Sequence, residues 1–266
     1  CLSNLLARFN RSIGRIACGD AQGTCFIVAE NFVFTCYHVY SDFIEERKKP
    51  NKFTLPIQVA FDYYKLGGIN SAVVVDVDES YEPIYYSTEF DYIVLCLKES
   101  SSLADRERLG KFVRGYHLDE GLVCITGFPE NRELREETCV VVEAAAKKKL
   151  YSRQHQTGGG VHMASIQDFF SKIPHRVAYD CSLYRGSSGS PGFDMNGKIV
   201  LLHAQGYILN VKTKNYPLME FGINFGVICA HIEQEYGLHI ANQFFPNRYL
   251  QDDVELINID PDLNKL

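Results

Sequence analysis

Three residues of this 266-residue chain have the types and the order that acyl-transfer chemistry uses: His38, Asp91 and Ser188. A serine hydroxyl attacks a carbonyl only when a base removes its proton, and histidine titrates where that exchange is easy. A carboxylate beside the histidine fixes its tautomer and stabilises the imidazolium that forms. Ser188 lies in "YRGSSGSPGFD", Tyr184 to Asp194, where Gly186 and Gly189 flank it. Such a turn can aim the backbone N–H groups of Gly186 and Ser188 inward, as the oxyanion of an attacked carbonyl requires.

Each signal has an ordinary reading as well. A glycine–serine stretch can be a linker, a histidine after an apolar run can be partly buried and inert, and an aspartate before a strand can cap a turn. The linker reading suffers because apolar runs lie close on both sides of the stretch. Asp91 directly precedes "YIVLCLK", where a carboxylate is costly without a hydrogen-bonding partner. An imidazole N–H is such a partner. The combination is stronger than its parts.

The elements that must hold these residues read as β-strands. From Gly14 onward short β-rich runs follow one another, "TCFIV", "NFVFTCYHV", "IQVAFDYY", "SAVVVDV", "PIYYS" and "DYIVLCLK". A second series continues with "LVCITGF", "TCVVVEA", "HRVAYDCSLY", "KIVLLHAQGYIL" and "MEFGINFG". Turn residues separate them, which predicts an all-β sandwich or pair of barrels with a boundary near 110–120. His38 is expected at the end of a strand. "CLSNLLARFN" reads as an amphipathic helix with Leu2, Leu5, Leu6 and Phe9 on one face, and "GVICAHIEQEYG" as a C-terminal helix. Residues 143–162 read as a surface loop and the acidic stretch after Pro246 as a loosely ordered tail.

Composition narrows the classes. A net charge of −6 is not the footprint of a nucleic-acid binder, and Lys147–Lys149 read as a solvated loop. Nine cysteines, spread widely and without a CxxC pair, suit neither a disulfide framework nor a zinc site. Several lie inside apolar runs, which points to a reducing, intracellular setting. The sequon Asn10–Arg11–Ser12 is then a chance match. No apolar run approaches the ~20 residues that span a bilayer, and no signal peptide or metal or other cofactor motif is recognised. The start at Cys1 reads as that of a fragment.

The motifs "TCYHV", "FDYIVLCLK" and "GSSGSP" resemble those around the triad of chymotrypsin-fold proteases, and "GTCFIV…FTCYHV" resembles the HtrA type. The fuller set, Phe34–Val39, Phe90–Glu99, Val161–Phe170, Tyr179–Phe193 and Met219–Gly222, resembles the trypsin-like protease domain of the family with sequence similarity 111 over about residues 5 to 235. The resemblance implies two six-stranded antiparallel β-barrels with a short N-terminal and a C-terminal helix. Its expected bounds are 1–12 for the N-terminal helix, 13–115 and 116–240 for the barrels, and 241–266 for the tail. It also implies peptide-bond hydrolysis without a cofactor, self-cleavage, and a nuclear role in clearing protein obstacles from replicating DNA. Protein substrates follow, with no membrane partner and a homodimer formed through the leucine face of the N-terminal helix. DNA and replication-clamp contacts are expected from a region upstream.

Extracellular members of the fold carry an aspartate where this chain has Ser187, so activation by a newly cut N-terminus is not expected. Val39 stands where a cysteine commonly follows the histidine. By resemblance the substrate pocket is formed by Ser182, Leu183, Tyr184 and Arg185 and by His203, Ala204, Gln205 and Gly206. Ser182 at its base disfavours lysine or arginine. Ala204 and Gly206 leave room for a large apolar or aromatic side chain, while a histidine that reads glutamine is the rival expectation. The alternatives to an active endopeptidase are a protease-like binding module and an HtrA-type quality-control protease.

Overall fold

The computed structural model describes residues 2–63, 72–116, 118, 120–142, 175–181, 186–211 and 214–250. Thirteen strands form two β units. The first contains β1 (Ile13–Cys18), β2 (Ala21–Ala29), β3 (Phe32–Thr35), β4 (Gln58–Phe61), β5 (Val73–Asp76), β6 (Tyr86–Ser87) and β7 (Tyr92–Cys96), in the order β5-β4-β1-β2-β3-β7-β6. Gly19, at φ +59°, and Asp20 turn β1 back onto β2, pairing Cys18 with Ala21. Such a tight hairpin needs a residue that tolerates positive φ.

The second unit contains β8 (Leu122–Gly127), β9 (Arg135–Val141), β10 (Arg176–Asp180), β11 (Pro191–Phe193), β12 (Ile199–Val211) and β13 (Lys214–Asn224). It closes as an antiparallel barrel in the order β10-β13-β12-β11-β8-β9. The expected pair of six-stranded barrels is therefore met once. The first unit is a seven-stranded sheet whose ends approach through a single bridge, Val77 to Leu97. Asp78 N donates to Cys96 O at 2.8 Å and Lys98 N to Asp76 O at 2.9 Å, so β5 curls back to β7 while two-residue β6 is added outside.

Among the described residues, four α-helices accompany the strands: α1 (Leu2–Phe9), α2 (Tyr37–Arg47), α3 (Phe225–Tyr236) and α4 (Leu238–Phe244). The helix α2 corrects the sequence expectation. The run "NFVFTCYHV" is strand only to Thr35, Cys36 is extended, and His38 is the second residue of a helix. "SDFIEER" continues the helix, with Val39 and Phe43 buried beneath and Glu46 buried beside them and paired with Lys49 and Lys52. Asn224 caps α3 by accepting from Gly226 N at 2.6 Å, and Gly237 at φ +89° separates α3 from α4.

One core joins the first sheet to α3 and α4. Phe34 stacks on Tyr92 at 5.3 Å and meets Phe225 at 5.5 Å, and Phe225 meets Phe245 at 5.6 Å. A second cluster, including Val123, Ile125, Val141, Val177, Tyr179 and Leu201, fills the closed barrel. The apolar face of α1 is occupied within the chain: Leu6 and Phe9 are buried, and Phe9 packs on Phe112 at 4.5 Å and Phe193 at 5.6 Å. Leu5 is half-buried, so the exposed leucine face that suggested a dimer is largely spent on the chain's own core. The described cysteines are free thiols, buried except for Cys181, in keeping with their reading as small apolar residues. Among the described residues no helix is long and apolar enough to cross a membrane. The 143–162 loop and the tail beyond 250 lie outside the described residues.

Candidate active site

Helix α2 begins where β3 runs out, and that junction positions His38. The first N–H groups of a helix lack partners within it. Asp91 supplies one: its Oδ1 accepts from His38 N at 2.9 Å, while Oδ2 lies 2.8 Å from His38 Nδ1. A single carboxylate thus caps the helix and holds the imidazole. Asp91 reaches this position from a left-handed turn, φ +47°, immediately before β7. Such a conformation costs on the order of 1 kcal/mol for a residue with a side chain, and aspartate tolerates it better than most. The Asp91 side chain is 14% exposed and the His38 side chain 37%, so the ring faces solvent over a held base. The partly buried guanidinium of Arg176 on β10 lies near enough to Asp91 for the carboxylate's charge to be felt.

Ser188 comes from the other unit. Gly186 at φ +96° and Gly189 at φ +91° make the turn that the sequence suggested. A Cβ on Gly189 would stand 2.0 Å from Thr24 O, so the loop is pressed against β2. Thr24 N donates to Ser188 O at 2.8 Å, Thr24 Oγ1 donates to Gly186 O at 2.9 Å, and Phe128 N donates to Thr24 Oγ1 at 3.0 Å. On the far side Gly189 N donates to His203 O at 2.8 Å, and His203 N to Ser190 O at 2.8 Å. Ser190 is fully buried and its hydroxyl donates to Ser187 O at 2.5 Å, which gives it a structural role. Cys36 Sγ also donates to His203 O, at 3.3 Å, so the histidine-bearing junction and the serine loop share one carbonyl.

The Ser188 hydroxyl donates to Ala204 O at 2.8 Å. Among the described residues no hydrogen bond joins Ser188 to His38; the shared His203 carbonyl is what ties the candidate serine loop to the histidine-bearing junction. Contacts between a nucleophile and its base are often loose without substrate.

His203 was expected to line an open pocket. It is 2% exposed instead, and both ring nitrogens have partners: Tyr179 Oη at 2.5 Å from Nδ1 and Ser187 Oγ at 3.0 Å from Nε2. Burial, with the nearby His38 charge, lowers its pKa to about 3, so the ring is neutral. Glu220 Oε2 on β13 lies 3.8 Å from His203 Nε2, and burial raises that carboxyl to about 8. Ala204 is buried in β12, and Gln205 and Gly206 continue that strand. Ser182, Leu183, Tyr184 and Arg185 lie outside the described residues.

Sequence reasoning missed Thr24, Tyr179, Arg176 and Glu220. The signals available were a threonine inside "GTCFIV" and a glutamate inside the apolar "MEFGINF". The ligand atoms of Cys36, His38 and Asp91 lie within 4.8 Å of one another. A metal there would have to displace the His38 Nδ1 contact to Asp91 and the Cys36 thiol's bond to His203.

Residues 23–200 match the model of the trypsin-like peptidase domain, which spans the helix bearing His38, the turn bearing Asp91 and the loop bearing Ser188. The chain belongs to the trypsin-like peptidase family. It is thereby a domain of the serine endopeptidase class, as the resemblance implied. It is 28% identical over 252 residues to the mouse (Mus musculus) serine protease FAM111A, covering 89% of this chain and 40% of that protein. It is 27% identical over 250 residues to the human (Homo sapiens) serine protease FAM111B, covering 86% of this chain and 33% of that protein. The chain therefore spans well under half the length of these curated relatives. Among solved structures the peptidase fold is shared with the HtrA-type protease AlgW, at a TM-score of 0.53 and 15% identity over 89% of this chain and 64% of that one. Deg5 gives a TM-score of 0.53 at 17% identity, covering 88% and 94% of the two chains.

Proposed function

We propose that this peptidase domain cleaves peptide bonds through a triad of Ser188 as nucleophile, His38 as base and acid, and Asp91 as the group that orients the imidazole. The observation that supports this most directly is the two-point hold of Asp91 on His38 N and Nδ1. With Nδ1 so engaged, Nε2 carries the lone pair that accepts the Ser188 proton. Ser188 Oγ then bonds to the carbonyl carbon, and the oxygen takes up negative charge between the N–H groups of Gly186 and Ser188. Collapse breaks the C–N bond as His38 returns the proton to the leaving amine. Water, deprotonated by His38, hydrolyses the acyl ester and restores Ser188.

The substrates we propose are proteins bound to chromatin or crosslinked to DNA, cut after large apolar or aromatic residues, with self-cleavage and a nuclear setting. This rests on the resemblance to the family with sequence similarity 111, and the proposed DNA and replication-clamp contacts belong to regions outside this chain. A homodimer through the leucine face of α1 belongs to the same reading, and light scattering of a folded Leu5→Asp tests it: an unchanged mass counts against it.

A second reading, a protease-like binding module, is favoured by one observation, the Ser188 hydroxyl turned to Ala204 O. A fluorophosphonate probe separates the two. Labelling of the folded chain that disappears in Ser188→Ala supports the enzyme. A well-folded chain that takes no label supports the module.

A further inference from the structure

Strand register brings Cys139 and Cys181 together. Val141 pairs with Tyr179 and Val140 with Asp180 between β9 and β10, and one further step along that ladder sets Cys139 opposite Cys181. Opposed residues of an antiparallel pair alternate between hydrogen-bonded and non-hydrogen-bonded positions. Val142 N donates to Ala178 O at 2.8 Å, whereas Val141 N turns the other way, to Gly121 O at 2.9 Å. Counted from Val142, Cys139 and Cys181 fall on a non-hydrogen-bonded pair, whose Cα atoms stand about 4.5 Å apart. A disulfide spans about 4.4–6.8 Å between Cα atoms. Val140 and Asp180 are exposed between the two pairs, so both cysteines share the inner face with Val141 and Tyr179. Their sulfurs lie within 4.8 Å of each other.

The pair is reachable from one side. Cys139 is 1% exposed, while Cys181 and Glu137 are half-buried. The Glu137 carboxylate makes a third metal-type ligand atom in this group. Closed structural zinc sites use four ligands, and the Cys139 thiol donates instead to the Glu137 backbone O at 3.5 Å. A hydrogen bond to Cys181 and burial hold the Cys139 thiol well above its ordinary range. It therefore stays protonated, and Cys181 is the sulfur that meets a reagent from solvent.

We propose that Cys139 and Cys181 are a reversible oxidation site, which a hydroperoxide converts into a disulfide stapling β9 to β10. In the first step a peroxide oxygen bonds to the Cys181 sulfur and the O–O bond breaks. The thiol proton leaves with the other oxygen, as water when the reagent is hydrogen peroxide. In the second step the Cys139 sulfur bonds to the Cys181 sulfur, the S–O bond breaks, and the Cys139 proton leaves with that oxygen as water. The two thiols lose two electrons and the peroxide gains them. The staple closes residues 140–180 into a loop, which restricts the unfolded chain more than the folded one. Cys181 stands seven residues before Ser188 in the chain, but the oxidation does not depend on the endopeptidase reading.

The test treats the reduced whole chain with hydrogen peroxide, alkylates the remaining thiols and maps proteolytic peptides by mass spectrometry. We expect a linked peptide joining Cys139 to Cys181 that dithiothreitol separates, and a thermal midpoint about 5–10 °C higher in the oxidised chain. Cys139→Ser should lose both the link and the shift, whereas Cys124→Ser, which removes a neighbouring thiol, should keep them. Oxidation of Cys181 to a sulfinic acid without a link would overturn the proposal, as would a link from Cys181 to another cysteine or two unmodified thiols. Zinc that shields both thiols from alkylation, with no link formed by peroxide alone, would give the group with Glu137 to a metal and overturn it too. The wild-type peptide map decides even where a variant fails to fold.

Discussion

Asp91 holds His38 at two points, accepting from its backbone N at 2.9 Å and lying 2.8 Å from its ring Nδ1. One carboxylate therefore caps the start of α2 and engages Nδ1 of the imidazole, leaving Nε2 as the other ring nitrogen. Replacing Asp91 by Asn keeps the shape but offers an amide N–H where an acceptor is needed. We expect kcat to fall by about 10⁴-fold, with the fold retained by circular dichroism. A loss below tenfold in a steady-state peptide assay would remove Asp91 from the mechanism.

Thr24 joins the two units at the site, since its hydroxyl donates to Gly186 O and accepts from Phe128 N while fully buried. Thr24→Val keeps the volume and strands both groups. A loss of about 1–3 kcal/mol in unfolding free energy is expected, together with slower fluorophosphonate labelling of Ser188. Labelling at the wild-type rate would show that the serine loop keeps its shape without Thr24.

Phe9 anchors α1 between Phe112 and Phe193 and is fully buried. Truncation to alanine removes a large apolar side chain and leaves a cavity, so Phe9→Ala should cost about 3–5 kcal/mol in denaturant unfolding. A change below 1 kcal/mol would mean that α1 contributes little to this core.

His203 and Glu220 give stability opposite slopes with pH. The His203 pKa is lowered from 6.5 to about 3, so between those values the unfolded chain binds more protons and stability rises with pH. The Glu220 pKa is raised from 4.5 to about 8, so between those values the folded chain binds more protons and stability falls as pH rises. Their combined effect is a rise up to about pH 4.5, near-cancellation to 6.5, and a decline to about 8. Denaturant midpoints measured across this range should lose the alkaline decline in Glu220→Gln and the acid rise in His203→Gln. Persistence of both arms in the two variants would assign them to other groups.

The sequence by itself determined the class of the fold and named the candidate residues of the site. Histidine, aspartate and serine each carry a role that few other side chains can perform, and Gly186 and Gly189 declare a turn by the positive φ they allow. Period-two apolar runs and turn residues declare strands, because each residue's facing follows from its neighbours. The end of β3 was not legible: "TCYHV" alternates as well as a strand, and only the Asp91 carboxylate, far along the chain, makes His38 the second residue of a helix. Closure of the second unit, and near-closure of the first, depend on pairings between distant strands. The Ser188–Ala204 bond, the Thr24 link and the place of Glu220 beside His203 were decided by tertiary structure alone. Each depends on which groups the packed strands and loops bring together, and burial, which sets the protonation of His203 and Glu220, exists only once those elements have met.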